Sequence, residues 1–219
     1  MSKKKQVSLP DYTLGEEITN AVTHGIGAAL SVAAVVLCVV RAASVRDPWM
    51  VVSGAIYGAM MIIMYTFSTV YHALAPNKGK RVMRVLDHCG VFLAVAGSYT
   101  PYTLVSLRGP LGWTIFGIIW GATAAAIVFN AIDVDKFSIA SAVINLVTGW
   151  GILAAAVPLS HVITGAGLAL LIGGGLSYTV GAVLYVLGEK RRYFHSVFHL
   201  FVLAGSVLHF FSIFFYVIK

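Results

Sequence analysis

WMVVSGAIYGAMMIIMYTFSTVYHAL, residues 49–74, runs for 26 positions without an aspartate, glutamate, lysine or arginine, and its one histidine comes near the end. Coiled as a helix, such a stretch crosses a hydrocarbon core of roughly 30 Å. Six further runs share its character, at approximately 18–42, 86–106, 111–130, 138–158, 163–187 and 195–218. They lack the period-two alternation of barrel strands and are too long for them. The pattern predicts an all-α membrane protein, a seven-transmembrane helix bundle, with residues 1–16 as an N-terminal tail and 17–219 as the helical domain.

Composition points the same way. Apolar residues make up 59% of the 219 and charged residues only 11%, against about 25% charge in soluble domains. One soluble core cannot hide that much apolar surface, so lipid has to be part of the solvent. The net charge of +7 does not mark a nucleic-acid binder, because the basic residues punctuate the apolar blocks instead of lining one polar face. They read as topology charges beside anionic lipid. The two cysteines, Cys38 and Cys89, fall toward opposite membrane faces and are not expected to pair. The start, Met1-Ser2-Lys3-Lys4-Lys5, resembles a signal peptide, but Pro10-Asp11 and Glu16-Glu17 interrupt it before the apolar run, so a retained cytoplasmic tail is expected.

Short turns separate the runs: Arg46-Asp47-Pro48, 76–80, Arg108-Gly109-Pro110, 133–136 and 189–192, with a weaker one at 159–162. Eleven lysines and arginines fall on the side of the N-terminus and four on the other (Arg41, Arg46, Arg108, Lys219). The positive-inside rule then puts the N-terminus in the cytoplasm and the C-terminus outside, as an odd number of spans requires. Pairs of small residues, Gly54/Gly58, Gly117/Gly121 and the run 173–175, are expected to let helices approach closely.

Ionisable groups within spans are costly, so they mark the places where function is to be sought. His72 closes the second span, Asp87 opens the third, His195 and His199 open the seventh, and Glu17, Asn20 and His24 occupy the first turns of the first. All fall toward the cytoplasmic side. His195 and His199 are four apart and share a helix face. A His-x-x-x-His pair is common in helices that bind no metal, a lone His72 at a helix end is ordinarily interfacial, and Asp87 and Ser68 alone read as a cap and a backbone-bonded hydroxyl. Their shared depth is what joins them. Three histidines with an open fourth position suit a catalytic metal, with Asp87 able to accept from its water and Ser68, one turn before His72, lining the site. His209 lies deeper on the last span as a cavity-lining or interhelical group, and His88 and His161 read as interfacial.

Three segments carry a family resemblance: Glu17 to Gly27 (EITNAVTHGIG), Ser68 to His72 followed by Asp87-His88-Cys89, and His195 to His199 (HSVFH). Through them the chain resembles the bacterial hemolysin III-like proteins, the prokaryotic branch of the progestin and adiponectin receptor family. The resemblance implies seven helices around a Zn2+ ion near the cytoplasmic face, with His72, His195 and His199 as ligands and Asp87 and Ser68 close to the zinc's water. Ceramidase relatives hydrolyse a lipid amide. The implied activity is a zinc-dependent hydrolase of a lipid amide or ester in the bacterial cytoplasmic (inner) membrane, with membrane lipid as partner and no nucleic acid. Two alternatives stand beside it: an ion-conducting or membrane-energetics regulator with a structural metal, and a hemolysin-like membrane-lytic protein. The roles of Glu17, Asn20 and His24, beside the site or within it, stay open.

Overall fold

The computed structural model describes residues 7–188 and 191–219; the basic tail Lys3-Lys4-Lys5 and, in the sixth turn, Glu189 and Lys190 lie outside the described residues. Helix starts follow local signals. Thr13 and Glu16 form a reciprocal capping box, the Glu16 amide donating to the Thr13 hydroxyl at 3.3 Å and the Thr13 amide to the Glu16 carboxylate at 2.8 Å. This starts α1 (Leu14–Val45) four residues ahead of the expected 18. Asp47, Asn77, Asp133 and Thr164 cap α2 (Pro48–Ala73), α3 (Lys78–Pro101), α5 (Val134–Ser160) and α6 (Gly165–Leu187) with their side chains. Gly109 precedes α4 (Pro110–Ile132), and Tyr193 precedes α7 (Phe194–Tyr216).

Six of these seven helices are long and apolar enough to cross a membrane. The exception is α3, whose first three turns carry Lys78, Lys80, Arg81, Arg84 and Asp87. The sequence reading put those cations in a turn. They are instead helical, and Lys80 and Arg84 point inward, 2% and 7% exposed. A π turn over Tyr102–Ser106 ends α3 after Pro101, and a 3-10 turn over Gly151–Ala155 interrupts α5.

The helices close a ring. α1 packs on α2 and α7, α2 on α3, α3 on α5, α5 on α6, and α6 on α7, while α4 leans on α3 and α5 from outside. Polarity within a helix runs opposite to that of a soluble protein. On α1 the stripe Ile18, Val22, Ile26 and Leu30 is about half exposed, ready for lipid, and Asn20, Thr23, His24 and Ser31 are buried. Tyrosines plug the interior, and α7 satisfies the hydroxyls of three of them. Tyr65 donates to Ser206 at 2.7 Å, Tyr178 shares that hydroxyl at 2.9 Å, and Tyr102 donates to Ser212 at 2.8 Å. Within the ring lies a chamber lined from every helix except α4, with about 1320 Å³ of atom-free space including its mouth.

The glycine pairs divide. A Cβ on Gly58 would collide with Val35 of α1 and one on Gly174 with His209, so both hold helix pairs in close contact. Gly117 and Gly121 have nothing within 4 Å of such a Cβ, contrary to the expected packing role, because α4 turns that face away from the ring. Gly58→Ala should therefore cost about 1–3 kcal/mol by overpacking the α1–α2 seam and lower the unfolding temperature in detergent. Gly117→Ala should leave it unchanged or slightly raised.

Candidate metal centre and its vestibule

α2 ends on His72, and the first two turns of α7 supply His195 and His199. One ring nitrogen from each lies within 4.8 Å of the other two, close enough for the three to share a metal ion. His195 and His199 face each other through their Nε2 atoms at 3.0 Å. His72 Nε2 is buried and has no hydrogen-bond partner among the described residues, so its lone pair is left for a cation.

Glu17 explains why that nitrogen is the free one. Its carboxylate accepts from His72 Nδ1 at 2.6 Å and from Lys80 Nζ at 2.6 Å. The carboxylate is an acceptor, so His72 donates to it from Nδ1, and in the neutral imidazole with that tautomer Nε2 keeps its lone pair. This is the carboxylate–histidine arrangement that orients metal-binding imidazoles. Lys80 is fixed in turn by the Leu74 carbonyl at 2.8 Å. Asn20 accepts from the Ser196 hydroxyl at 2.6 Å, tying α1 to α7, and its amide nitrogen lies 3.4 Å from His72 Nδ1. His199 Nδ1 has no hydrogen bond among the described residues. Its ring is held by His24, stacked at 3.6 Å with planes 12° apart. Glu17, Asn20 and His24 thus all touch the histidine cluster.

Two spaces meet at the cluster. Ser68, whose buried hydroxyl lacks a partner among the described residues, lines the apolar chamber together with His24, His195 and His199. Asp87, His88, Tyr185 and His195 line both the chamber and a polar vestibule above it. His88 is therefore a wall of the site and not the interfacial residue expected. His209 lines the chamber and also bonds the Leu171 carbonyl of α6 at 3.1 Å. His161 is exposed.

The segment ahead of α1 roofs the vestibule. The Ser8 amide and hydroxyl donate to Asp135 at 2.9 and 2.6 Å, and Arg84 joins the same carboxylate. Arg81 donates to the Val7 carbonyl, and Arg192 to that of Asp11 at 2.7 Å. These ties lay Tyr12 over the histidines, stacked on His195 with ring centroids 5.1 Å apart. Burial pushes the Tyr12 hydroxyl above its ordinary range, and Tyr71, Tyr185, Asp87 and Glu17 add to it, so it stays a neutral donor.

Sequence reasoning missed Tyr12, Lys80, Ser196 and Tyr71. The only signal available was the capping box Thr13–Glu16, which turns the chain sharply after Tyr12. No spacing rule links a tail residue or a turn lysine to histidines far along the chain.

A family model described as Haemolysin-III related matches residues 12–210, from Tyr12 into the last helix. The chain belongs to the haemolysin-III related family. It is 42% identical to Hemolysin-3 of Bacillus cereus over 203 residues, covering 93% of this chain and 92% of that one. It is 39% identical to the Hemolysin-3 homolog of Bacillus subtilis over 208 residues, 95% and 97% of the two chains. A more distant relative is the human monocyte to macrophage differentiation factor, 25% identical over 214 residues, 94% of this chain and 87% of that one. No solved structure matches the chain. The matched residues hold every group at the histidine cluster, so it lies inside the part of the chain that defines the family.

Losing the Glu17 carboxylate should free the His72 ring. Glu17→Gln is expected to weaken zinc binding by about 10–100-fold, read by competitive titration against a zinc dye in detergent, with the helical circular-dichroism signal retained.

Proposed function

We propose that this protein is a zinc-dependent intramembrane hydrolase acting on a lipid amide or ester in the bacterial cytoplasmic membrane. It crosses that membrane seven times, with α3 as the polar third span, the N-terminus in the cytoplasm and the C-terminus outside. The observation that supports the activity is the convergence of three imidazoles, of which His195 lines both the apolar chamber and the polar vestibule and His199 the chamber. A lipid drawn across that junction has its chain in the chamber, its head in the vestibule and its acyl bond beside the histidines.

The donor set fits a divalent ion, since all three groups are imidazoles and His72 Nε2 has no other partner among the described residues. When bound, such an ion supplies Lewis acidity to a carbonyl and lowers the pKa of water at the site. The chain's own groups do the rest. A carboxylate oxygen of Asp87 takes the proton of the attacking water and returns it to the departing amine or alkoxide. The Ser68 hydroxyl donates to the carbonyl oxygen as charge gathers there. Met64, Val91, Val95 and Leu146 are among the residues that line the chamber and exclude water, and each buried methylene of the substrate contributes about 0.8 kcal/mol.

An ion path with a structural metal is the second reading, favoured by His24 and His209 lining one chamber at different depths. Against it, Leu159, Ile163, Ile213, Val217 and Ile218 are all buried at the far ends of their helices and form an apolar plug.

Elemental analysis of the detergent-purified protein should find about one zinc per chain, and none in the His195→Ala/His199→Ala double variant. Zinc-loaded wild type should release fatty acid from an amide- or ester-linked lipid. His72→Ala should abolish that release, and Asp87→Asn should reduce it about 10²–10⁴-fold. Folded wild type that takes up no zinc on loading would sink the hydrolase reading, and proton or cation flux in liposomes would then favour the ion path.

A further inference from the structure

The vestibule carries more information about the substrate than the chamber does. Its wall holds three acids, Asp11, Glu16 and Asp87, and three cations, Arg84, Arg191 and Arg192. Most are already committed to one another. Glu16 accepts from the Thr13 and Tyr193 amides, the latter at 2.7 Å, and from Arg192 at 3.2 Å. Arg192 also reaches the Asp11 carboxylate at 3.8 Å. Arg84 is taken by Asp135 and by the Ser8 carbonyl at 2.9 Å. Asp87 lies at the inner end, where the vestibule opens into the chamber.

Among the side-chain donors of this wall, Tyr71 has no hydrogen-bond partner and Arg191 no ion pair among the described residues. The Tyr71 hydroxyl is buried without a hydrogen-bond partner, on a residue only 2% exposed. Its ring is held between His72, with centroids 4.6 Å apart, and the Lys80 ammonium at 5.0 Å, so the orphan hydroxyl cannot easily swing away. Arg191 packs its guanidinium 5.4 Å from the centre of the Phe194 ring and has no acidic partner among the described residues. A buried phenol donor costs free energy until an acceptor reaches it. An uncharged polyol head would leave Arg191 unanswered, and an amine head would add a cation beside Arg191 and Lys80. An oxyanion satisfies both groups.

We propose that the vestibule is a subsite for an anionic head, a phosphate or a carboxylate, on a lipid whose acyl chain occupies the chamber, with Tyr71 and Arg191 as the recognising donors. Tyr71 directly precedes His72, so a head held by it sets the lipid's depth relative to the histidines. This substrate class rests on the hydrolase reading, but head binding is measurable without hydrolysis.

The test uses full-length protein in nanodiscs of uncharged phosphatidylcholine, with hexadecyl phosphate, hexadecanol and inorganic phosphate as non-hydrolysable probes. Wild type should bind hexadecyl phosphate about tenfold or more tightly than hexadecanol, and inorganic phosphate far more weakly than either, since it lacks the chain. Tyr71→Phe and Arg191→Gln should each remove most of that preference while zinc content and unfolding temperature stay at wild-type values. Equal affinity for phosphate and alcohol would overturn the proposal. So would a preference that both variants retain, which reports the bilayer surface, or inorganic phosphate binding as tightly as the lipid, which reports a chain-independent anion site. A head preference lost in the variants, with no acyl release from any ester or amide, would sustain the subsite and sink hydrolysis. Acyl release without head preference would do the reverse.

Discussion

In hydrocarbon, a polar side chain that the protein does not satisfy finds no water to do so, and this constraint organises the bundle more than any apolar contact does. Its sharpest expression is the Glu17 carboxylate, which holds an imidazole from α2 and an ammonium from α3 while standing on α1. Without Glu17, Lys80 would be a buried cation with only the Leu74 carbonyl and the face of the Tyr71 ring beside it, and His72 would be free to rotate or change tautomer. Breaking one partner of such a buried set costs far more than the set contributes intact. The first three helices are therefore held in register by one anion. The ring geometry that brings α7 alongside them depends on that register.

α7 answers the same constraint from the other side. Its serines accept from or share the hydroxyls of tyrosines on α2, the π turn after α3 and α6, and the Ser212 hydroxyl donates in turn to the Gly167 carbonyl at 2.8 Å. These bonds let large aromatic residues fill the ring without orphan hydroxyls. Of the buried polar atoms left without a partner among the described residues, His72 Nε2, Tyr71 OH, Ser68 Oγ, His199 Nδ1 and both nitrogens of His24 belong to the histidine cluster and the residues around it, whereas Asn145 Oδ1 and His209 Nδ1 belong to other parts of the chamber wall and Ser53 Oγ to a residue that lines neither space.

The charges of α3 show how a topology signal and a structural role coincide. Lys78, Lys80, Arg81 and Arg84 form a basic cluster of the kind that biases the orientation of membrane helices. Folded, Arg81 and Arg84 clamp the roof of the vestibule and Lys80 locks the Glu17 pair. Their cost is that α3 alone among the seven long helices falls short of an apolar span. The two buried cations of this helix, Lys80 and Arg84, are tolerated because each is paired with a carboxylate.

Much of this was legible in the sequence. The apolar runs set the number and approximate extent of the helices, because hydrophobic length and turn punctuation are local properties. The histidines and Asp87 could be picked out because an ionisable group in a span is conspicuous against its apolar background, Ser68 because it lies one turn before His72, and the pair His195 and His199 because helical periodicity puts them on one face. Tertiary structure alone decided the rest. It showed that Gly117 and Gly121 face away from the ring, that Lys80 completes a bridge begun by Glu17, and that Tyr12 lies across His195. Each of these depends on which helices become neighbours, and helix adjacency in a membrane is set by side-chain pairing across the whole ring. No local pattern in the chain encodes it.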